Sequence, residues 1–375
     1  MGKMMRALGL MSGTSMDGID VALIETDGEE RLERGPALTL PYDAQFRSAL
    51  SGAVGEARSL ADRTARPGCL AEVERELTRR SGGAVAQFLA RHGLSAADIA
   101  VIGFHGHTVL HAPERRLTVQ LGDGALLAQL TGIGVVYDLR AADCAAGGEG
   151  APLAPVYHRA LAAGLTQRPI AVLNVGGVAN VTWIGRDGTL IAFDTGPGNA
   201  LLDDWMGRHT GRSLDADGAA AAAGRVDQAA LTALMMHPYF GEPPPKSLDR
   251  NAFSPAPIEG LSVEDGAATL TAFTAAGVAA ACAHFPEQPQ LWIVSGGGRR
   301  NRTLMAMIAG RVEAAVAPAE AAGMDGDAVE AEAWAYLAVR ALKGLPISFP
   351  GTTGVPKPLT GGVLAKAGAG TGSPQ

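Results

Sequence analysis

The segment at residues 171–199, AVLNVGGVANVTWIGRDGTLIAFDTGPGN, constrains the fold of this chain more than any other. Its first apolar run stops at Gly176 and Gly177, and its second leads to Asp187-Gly188, a dipeptide that favours a tight hairpin turn. A third apolar run follows that turn. The pattern therefore predicts three strands joined by two tight turns.

The third of these strands delivers a carboxylate and a hydroxyl, those of Asp194 and Thr195, to a strand end. Gly196 and Gly198 follow, and they let another group approach the backbone closely. Two ordinary hairpin turns would explain either glycine cluster alone. The combination of both clusters with the carboxylate favours a functional site.

The composition is that of a globular protein, and the length suits two domains. The chain has 375 residues, of which 47% are hydrophobic and 18% are charged. The net charge of −7 argues against nucleic acid and against an anionic membrane as partners. An anionic nucleotide is still compatible, because a few backbone donors and a metal ion can hold one. The oligomeric state stays open, with a homodimer as one alternative.

The cysteines and the N-terminus indicate the compartment. Cys69, Cys144 and Cys282 are dispersed and odd in number, which favours a reducing compartment. The apolar stretch at the N-terminus is too short for a signal peptide, and we expect no transmembrane helix. The sequence therefore predicts a cytoplasmic protein.

Near the N-terminus, a loop rich in Gly, Ser and Thr separates two apolar runs, 5–10 and 21–24. A strand–loop–strand hairpin of this kind presents backbone N–H groups and hydroxyls at its tip, and such a tip can cradle a phosphate. The Walker A pattern GxxxxGK[ST] is absent from this region. A purely structural hairpin is the alternative.

His105 and His107 come after an apolar run at 99–104. Two histidines at alternate positions of an extended segment lie on one face, which suits a transition metal. No carboxylate completes a ligand-like cluster here, so hydrogen bonding at the strand end is the favoured interpretation and no metal site is assigned. A metal-dependent hydrolase stays an alternative.

Two further strand exits carry ligand-binding patterns. The run 135–140 brings Asp138 and Arg140 close to a glycine-rich loop. Arg beside several acids can receive a polar, anionic ligand, or it can form a surface ion network. The run 291–295 leads through three glycines into a predicted helix, an arrangement in which a flat adenosine can lie against the backbone.

In order, these segments resemble the phosphate-1, phosphate-2, adenosine and second connecting segments of the acetate/sugar kinase–Hsp70–actin superfamily. Nearly the whole chain also resembles one family in it, the anhydro-N-acetylmuramic acid kinases of bacterial cell-wall recycling. The resemblance rests on residues 9–20, His105-Gly106 with Thr108, Gln120 with Gly122-Asp123, Asp138 with Arg140 and Asp143, 147–155, 173–182, 194–199, 243–247, 296–301 and Glu330-Ala331.

The chain departs from the family pattern at two places. His107 stands where we expect Gln, and Leu248-Asp249-Arg250-Asn251 stands where we expect Thr-Gly-Arg-Glu. The second departure leaves the role of residues 245–253 open.

The resemblance implies an α/β protein with a two-lobed actin-like (ribonuclease H-like) ATPase fold and an active site in the interlobe cleft. The N-terminal lobe would comprise residues 1–133 plus 346–375 and would carry the phosphate-binding hairpin. The C-terminal lobe would comprise residues 134–345 and would carry the catalytic Asp and the adenosine-binding glycines.

The implied reaction uses ATP and Mg²⁺ to convert 1,6-anhydro-N-acetylmuramic acid to N-acetylmuramic acid 6-phosphate in peptidoglycan recycling. Water would attack the anomeric carbon, the bridge would open, and O6 would take the γ-phosphoryl group. A carboxylate must deprotonate the water from hydrogen-bonding distance, and Asp194 is the expected base.

The other implied site residues form two groups. The substrate-binding group is His105, Asp138, Arg140 and Glu330. The ATP-binding group is Gly13, Thr14, Ser15, Met16, Asp17, Gly18, Ile19, Asp20, Gly176, Gly177, Asn180, Gly296, Gly297, Gly298 and Asn301.

Two other functions share parts of this pattern. A superfamily kinase for another sugar or for a carboxylate would use the same ATP loops. A nucleotide-switched module of actin or Hsp70 type would use the same cleft to move its lobes, although the chain has no obvious peptide-binding extension.

Overall fold

The computed structural model describes residues 2–13, 15–250 and 252–368. The chain divides into two compact units, one formed by Met1–Ala163 with Ala328–Gln375 and the other by Gly164–Asp327. This division differs from the expected one, because residues 134–163 and 328–345 lie in the first unit.

The strands in chain order are β1 (Met5–Met11), β2 (Gly18–Thr26), β3 (Leu32–Pro41), β4 (Val101–Phe104), β5 (His107–Ala112), β6 (Leu117–Leu121), β7 (Val135–Tyr137), β8 (Ile170–Val175), β9 (Val178–Ile184), β10 (Leu190–Pro197), β11 (Leu291–Ser295), β12 (Ala315–Pro318) and β13 (Val363–Ala365).

The helices are α1 (Ala44–Ala57), α2 (Leu70–His92), α3 (Gly124–Thr131), α4 (Ala141–Ala145), α5 (Pro155–Leu161), α6 (Ala200–Thr210), α7 (Ala219–Ala223), α8 (Gln228–Met235), α9 (Val263–Ala281), α10 (Arg302–Ala309), α11 (Val329–Leu342) and α12 (Pro350–Thr353).

The first unit is built on a sheet with the strand order β13-β7-β4-β1-β2-β3. Strands β1, β2 and β3 form an antiparallel meander, and β4 and β7 continue the sheet parallel to β1. The hairpin β5-β6 is separate from this sheet. Strand β7 pairs with β4 and β13, which is why residues beyond 133 belong to this unit.

The second unit is built on a sheet with the strand order β10-β9-β8-β11-β12. Strands β8, β9 and β10 again form an antiparallel meander, and β11 and β12 again run parallel to its first strand. Both units therefore have three antiparallel strands followed by two parallel ones, in the order 3-2-1-4-5. This is the ribonuclease H-like topology, so the expected α/β fold class is confirmed.

Helix α11 covers the first sheet at very short distance. A Cβ atom on Gly9 of β1 would lie 1.7 Å from the carbonyl oxygen of Ala331, and one on Gly103 of β4 would lie 2.0 Å from that of Trp334. Only glycine allows this approach, and it brings residues 328–345 into the first unit. The apolar side chains of α11 are themselves buried.

Helix α9 lies in the core of the second unit. Its sequence is rich in Ala, Thr and Gly, and most of its residues are buried. The stretch Val263–His284 is long and apolar enough to cross a membrane, contrary to our expectation, but 72% of the most apolar part is buried within the protein. We therefore describe it as a core helix.

Candidate active site

Asp194 lies on β10 of the second unit, at a bulge in the pairing with β9. Its half-buried carboxylate accepts one hydrogen bond through Oδ2, from the backbone N–H of Leu248 at 2.7 Å. The backbone of Asp194 makes two more bonds to the same region. Its N–H donates to the carbonyl oxygen of Lys246 at 3.1 Å, and its carbonyl oxygen accepts from the Tyr239 hydroxyl at 2.6 Å.

The surroundings of Asp194 raise the pKa of its carboxyl group to about 7. Loss of water around the group is the main cause, because burial disfavours the ionised form. The Leu248 N–H acts in the opposite direction, since it stabilises the carboxylate. A carboxyl group with a pKa near the working pH is well suited to take a proton from water.

Residues 239–248, which we call the strap, supply all three of these contacts. The Lys246 ammonium donates to the carbonyl oxygen of Tyr239 at 2.9 Å and lies 3.3 Å from Nε2 of His284. It also lies over the Phe193 ring at 5.5 Å and the Tyr239 ring at 4.7 Å. The Lys246 side chain therefore joins the two ends of the strap beside Asp194, the expected base.

The expected ATP-binding glycines of the second unit follow the carboxyl ends of β8 and β11. The Asn199 N–H donates to the Gly176 carbonyl at 2.8 Å, and the Gly198 N–H donates to that of Gly177 at 2.9 Å. The Asn199 amide donates to the Val175 carbonyl at 3.1 Å, which fixes the turn between β8 and β9. These contacts hold Gly176 and Gly177 against the segment that follows Asp194.

Two of these glycines have room for a Cβ atom, whereas a third is crowded. The nearest atom to a Cβ on Gly177 would be Cβ of Ala200 at 3.7 Å, and that to a Cβ on Gly297 would be the amide nitrogen of Asn199 at 3.8 Å. A Cβ on Gly298 would lie 2.5 Å from Cγ1 of Val175. A Cβ atom would therefore make only ordinary van der Waals contact at Gly177 and Gly297, so the fold itself does not require glycine there.

Two polar residues of the expected ATP-binding group, Asn180 and Asn301, belong to the secondary structure of the second unit. Asn180 lies opposite both Asn174 and Asp194 in the sheet. Asn301 caps helix α10, because its side-chain oxygen accepts from the Leu304 N–H at 2.9 Å. A role of either residue toward ATP stays a prediction.

The expected phosphate hairpin lies between β1 and β2 of the first unit, and Thr14 falls outside the described residues. The Met16 N–H donates to the Gly13 carbonyl at 3.0 Å, and the Ser15 hydroxyl donates to Asp17 at 2.8 Å. Gly18, Ile19 and Asp20 are strand residues of β2. The Ile19 side chain is buried in the core, so only its backbone could reach a ligand.

Three of the four expected substrate residues come together in the first unit. The Arg140 Nε donates to His105 Nε2 at 3.2 Å, and its Nη1 donates to the Gly150 carbonyl at 2.9 Å. The guanidinium also lies over the Trp334 ring at 4.9 Å. Burial lowers the pKa of Arg140 to about 10, while the charge of Glu330 acts in the opposite direction.

The environment of His105 fixes its charge and its tautomer. Burial is the main cause that lowers its pKa well below 6.5, and the Arg140 charge adds to that effect. Its Nδ1 lies 2.9 Å from the carbonyl oxygen of Gly106, so we assign the proton to Nδ1 and the accepting lone pair to Nε2. A neutral His105 thus orients the Arg140 guanidinium.

Asp138, the fourth expected substrate residue, forms an ion pair with Arg63. Both residues border a cavity of about 300 Å³ in the first unit, which His105 also lines. The cavity opens at the ends of β4 and β7, the place where ligands bind to parallel strands in α/β sheets.

The comparisons with known proteins agree over nearly the whole chain. The model of the anhydro-N-acetylmuramic acid kinase family matches residues 5–367. The chain is 56% identical over 361 residues to the anhydro-N-acetylmuramic acid kinase of Paramagnetospirillum magneticum, covering 96% of this chain and 99% of the relative. It is 57% identical over 366 residues to that of Azorhizobium caulinodans, with 96% and 99% covered. The chain belongs to the anhydro-N-acetylmuramic acid kinase family.

Similar solved structures are far more distant in sequence. An activator of 2-hydroxyisocaproyl-CoA dehydratase from Clostridium difficile, with bound ADPNP, is 12% identical, with 90% of this chain and 96% of that chain covered and a TM-score of 0.44. A ROK family glucokinase from Streptomyces griseus, in complex with glucose and AMPPNP, is 16% identical, with 88% and 98% covered and a TM-score of 0.39.

The expectation that His105 and His107 share one face was wrong. Gly106 adopts a φ of +70° between them, and only His107 belongs to a strand. Nδ1 of His107 lies 3.0 Å from the Ser12 hydroxyl, which accepts from the Tyr42 hydroxyl at 2.8 Å. Within the described residues, no group of three or more His, Cys, Asp or Glu side chains could hold a metal ion.

Sequence reasoning missed several groups that contact the expected site residues. The Leu248 N–H on Asp194 has no signal in the sequence, because every residue except proline carries this donor. Arg63 and Trp334 are distant in sequence from the residues they contact, Asp138 and Arg140. The role of residues 245–253 was left open, and part of that segment proves to contact the expected base; Asn251 itself lies outside the described residues.

Proposed function

We propose that this protein opens the 1,6-anhydro bridge of 1,6-anhydro-N-acetylmuramic acid with water and phosphorylates O6 at the expense of ATP. The products are N-acetylmuramic acid 6-phosphate and ADP. Family membership over residues 5–367 supports this reaction. The structural observation that carries it is Asp194, a half-buried carboxyl group at a bulge in β10 whose pKa lies at about 7.

The anhydro bridge dictates the chemistry. Because O6 is bonded to C1, the substrate has no free 6-hydroxyl for an ordinary phosphoryl transfer. A water oxygen forms a bond to C1, its proton passes to the base, and the C1–O6 bond breaks. The electron pair that remains on O6 then forms the bond to the γ-phosphorus, and ADP leaves.

Asp194 is the base in this scheme, and its two oxygens have different roles. Leu248 occupies Oδ2 with its N–H, so Oδ1 takes the proton from water. The raised pKa makes the ionised carboxylate a stronger base than an ordinary aspartate. A base of this strength contributes about 10²–10⁴ to a rate.

The residues expected at the nucleotide fit an anionic ligand with a flat ring. The fold does not require glycine at Gly177 and Gly297, at the ends of β8 and β11, where we expect ATP to approach the backbone closely. Mg²⁺, bound with ATP, would supply neutralisation of phosphate charge. We assign no protein ligand to it.

Arg140, with His105 beside it, recognises the lactyl carboxylate of the sugar. A buried guanidinium is stabilised by an anionic partner, and Arg140 keeps its charge at neutral pH because its pKa is about 10. Asp138 and Glu330 supply hydrogen-bond acceptors for sugar hydroxyls. The placement of these residues and Asp194 around one substrate, in a cleft between lobes, stays a prediction, as do a homodimer and a cytoplasmic location.

Mass spectrometry of the product tests the reaction. Incubation with the anhydro sugar, MgATP and ¹⁸O-water should give a 6-phosphate with one ¹⁸O atom at C1 and none in the phosphoryl group. The unlabelled product, incubated in ¹⁸O-water for the same time, controls for spontaneous exchange at C1. Absence of ATP-dependent product, with folded protein and a working control sugar kinase, would refute the proposal.

A further inference from the structure

We infer that Lys246 is a positioning residue for Asp194, which it serves by closing the strap at residues 239–248. This inference rests on the proposed function, in which Asp194 takes a proton from water. The strap contacts Asp194 at three points, and Lys246 provides one of them through its carbonyl oxygen.

The Lys246 side chain does not point to the carboxylate but holds the strap together. Its ammonium donates to the carbonyl oxygen of Tyr239, seven residues earlier, at 2.9 Å. The same ammonium lies over the rings of Phe193 and Tyr239, where a cation is attracted to the aromatic face. Lys246 therefore joins the two ends of the strap to each other and to β10.

Closure of the strap determines where the Leu248 N–H lies. Leu248 follows Lys246 by two residues, and its N–H is the hydrogen-bond donor that the structure gives to the Asp194 carboxylate. If the ammonium is removed, the strap loses the bond that joins Lys246 to Tyr239, and the Leu248 N–H is free to move away. The carboxylate then loses the interaction that favours its ionised form.

The other titratable groups near this site do not replace that interaction. Tyr239 donates to the backbone carbonyl of Asp194, and burial keeps its hydroxyl protonated by raising its pKa. Burial lowers the pKa of His284, which lies beside Lys246 in the turn after α9. Burial lowers the pKa of the Lys246 ammonium, and the charge of Glu242 in the strap opposes that effect by favouring the charged form. Asn180, opposite Asp194 on β9, is neutral.

The test is the pH dependence of the single-turnover rate in Lys246→Met, which keeps the length of the apolar stem. We expect its midpoint to rise by about one to two pH units above the wild-type value, the shift produced by loss of one hydrogen bond to an ionised group. The rate at high pH should return to within about threefold of wild type, because Asp194 remains the base. Lys246→Arg, which keeps a donor and a charge, should restore the midpoint.

A matched control is Lys343→Met. Lys343 also donates to backbone carbonyls, those of Asp27 at 2.6 Å and Lys3 at 3.2 Å, but it lies in the first unit. Its loss should leave the midpoint unchanged. An unchanged midpoint in Lys246→Met, with a lower rate at every pH, would overturn the inference, and so would an equal shift in Lys343→Met.

A readout without turnover separates this inference from the proposed function. The side-chain ¹³C resonance of Asp194, in protein labelled at aspartate and identified by its absence in Asp194→Asn, reports ionisation directly. The same upward shift in Lys246→Met is expected for this signal, even if the protein has no kinase activity. If the kinase reaction occurs and this resonance titrates identically in both proteins, the inference fails and the proposed function stands.

Discussion

The carboxyl group of Asp194 is subject to two opposing effects, loss of water and one hydrogen bond from a backbone N–H. Loss of water is the larger effect, and it raises the pKa to about 7. Below this pH the group is protonated and cannot accept a proton from water. Above this pH the carboxyl group is ionised and can accept a proton from water. Activity that depends on Asp194 should therefore increase with pH through this range.

The substitution Asp194→Asn tests this role. Asparagine keeps the size and can still accept from Leu248, but it cannot take a proton at neutral pH. We expect the single-turnover rate to fall by about 10²–10⁴. The wild-type rate should rise with pH to a plateau above about pH 7, and the residual rate of the variant should lack this step. Rapid-quench measurements between pH 5.5 and 9 check both expectations.

Affinity for ATP and thermal stability are the controls for this variant. Both should change little, because the expected phosphate contacts are backbone groups and because an amide suits the same partly dehydrated position. A stable Asp194→Asn protein that turns over at a near-normal rate would contradict the assignment.

The sequence could name the expected base but not its environment. Both glycine clusters and the family resemblance were needed to single out Asp194, and the structure places this residue within β10 rather than at its exit. Its pKa depends on Leu248 and on burial by the strap, which lies about fifty residues further along the chain, where no local pattern records the contact. For the same reason the pairing of Arg140 with His105 could be proposed only as a shared ligand site, not as a hydrogen bond.

At the scale of elements, the glycines at the ends of β8 and β11 serve two different purposes. Gly298 has no room for a side chain because of Val175, so the fold itself requires it. Gly177 and Gly297 have room, so the fold does not require them. Their expected purpose is approach of ATP to the backbone.

Gly177→Ala and Gly298→Ala form a matched pair that separates these purposes. In Gly177→Ala the added methyl projects into the space expected for a phosphate, so MgATP should bind at least tenfold more weakly while the melting temperature stays within about 2 °C. In Gly298→Ala the methyl clashes with Val175 and should cost about 1–3 kcal/mol of stability, the usual range for overpacking. Calorimetric titration and thermal melts measure the two effects. Unchanged ATP affinity in Gly177→Ala would exclude that turn as a phosphate contact.

Local sequence patterns predicted most elements but not the segment between the two histidines. The Asp187-Gly188 turn and the strands on either side of it are where the sequence placed them. At Gly106, however, the chain turns, because its φ of +70° ends the extended run after Phe104. Alternation of side chains between faces applies only within a continuous strand, so His105 and His107 were assigned one face incorrectly.

At the scale of the whole molecule, the same five-strand topology occurs in both units. The resemblance predicted a two-lobed, ribonuclease H-like fold, but the boundaries between the units could not be read from the sequence. They are set by contacts between distant segments, namely the pairing of β7 with β13 and the packing of α11 on β1 and β4. Helix α11 follows the whole second unit in sequence, and no pattern within its own residues indicates which sheet it packs on.

The last prediction concerns the dependence of the first unit on this returning segment. Residues 328–368 supply α11, whose buried side chains include Trp334, Tyr336, Leu337 and Val339. At about 1.5–3 kcal/mol for each large apolar side chain, their burial is worth about 6–12 kcal/mol, which is comparable with the whole stability of a typical domain. Residues 1–163 expressed alone should therefore not fold.

Circular dichroism and thermal melts of three proteins check this. Residues 1–163 alone should show no cooperative transition, and co-expression with residues 328–368 should restore one. Residues 164–327 are the control, because they form one continuous segment with a complete sheet and a core of their own, so they should melt cooperatively without help. A cooperative, native-like transition in residues 1–163 alone would show that α11 covers the sheet without being needed to stabilise it.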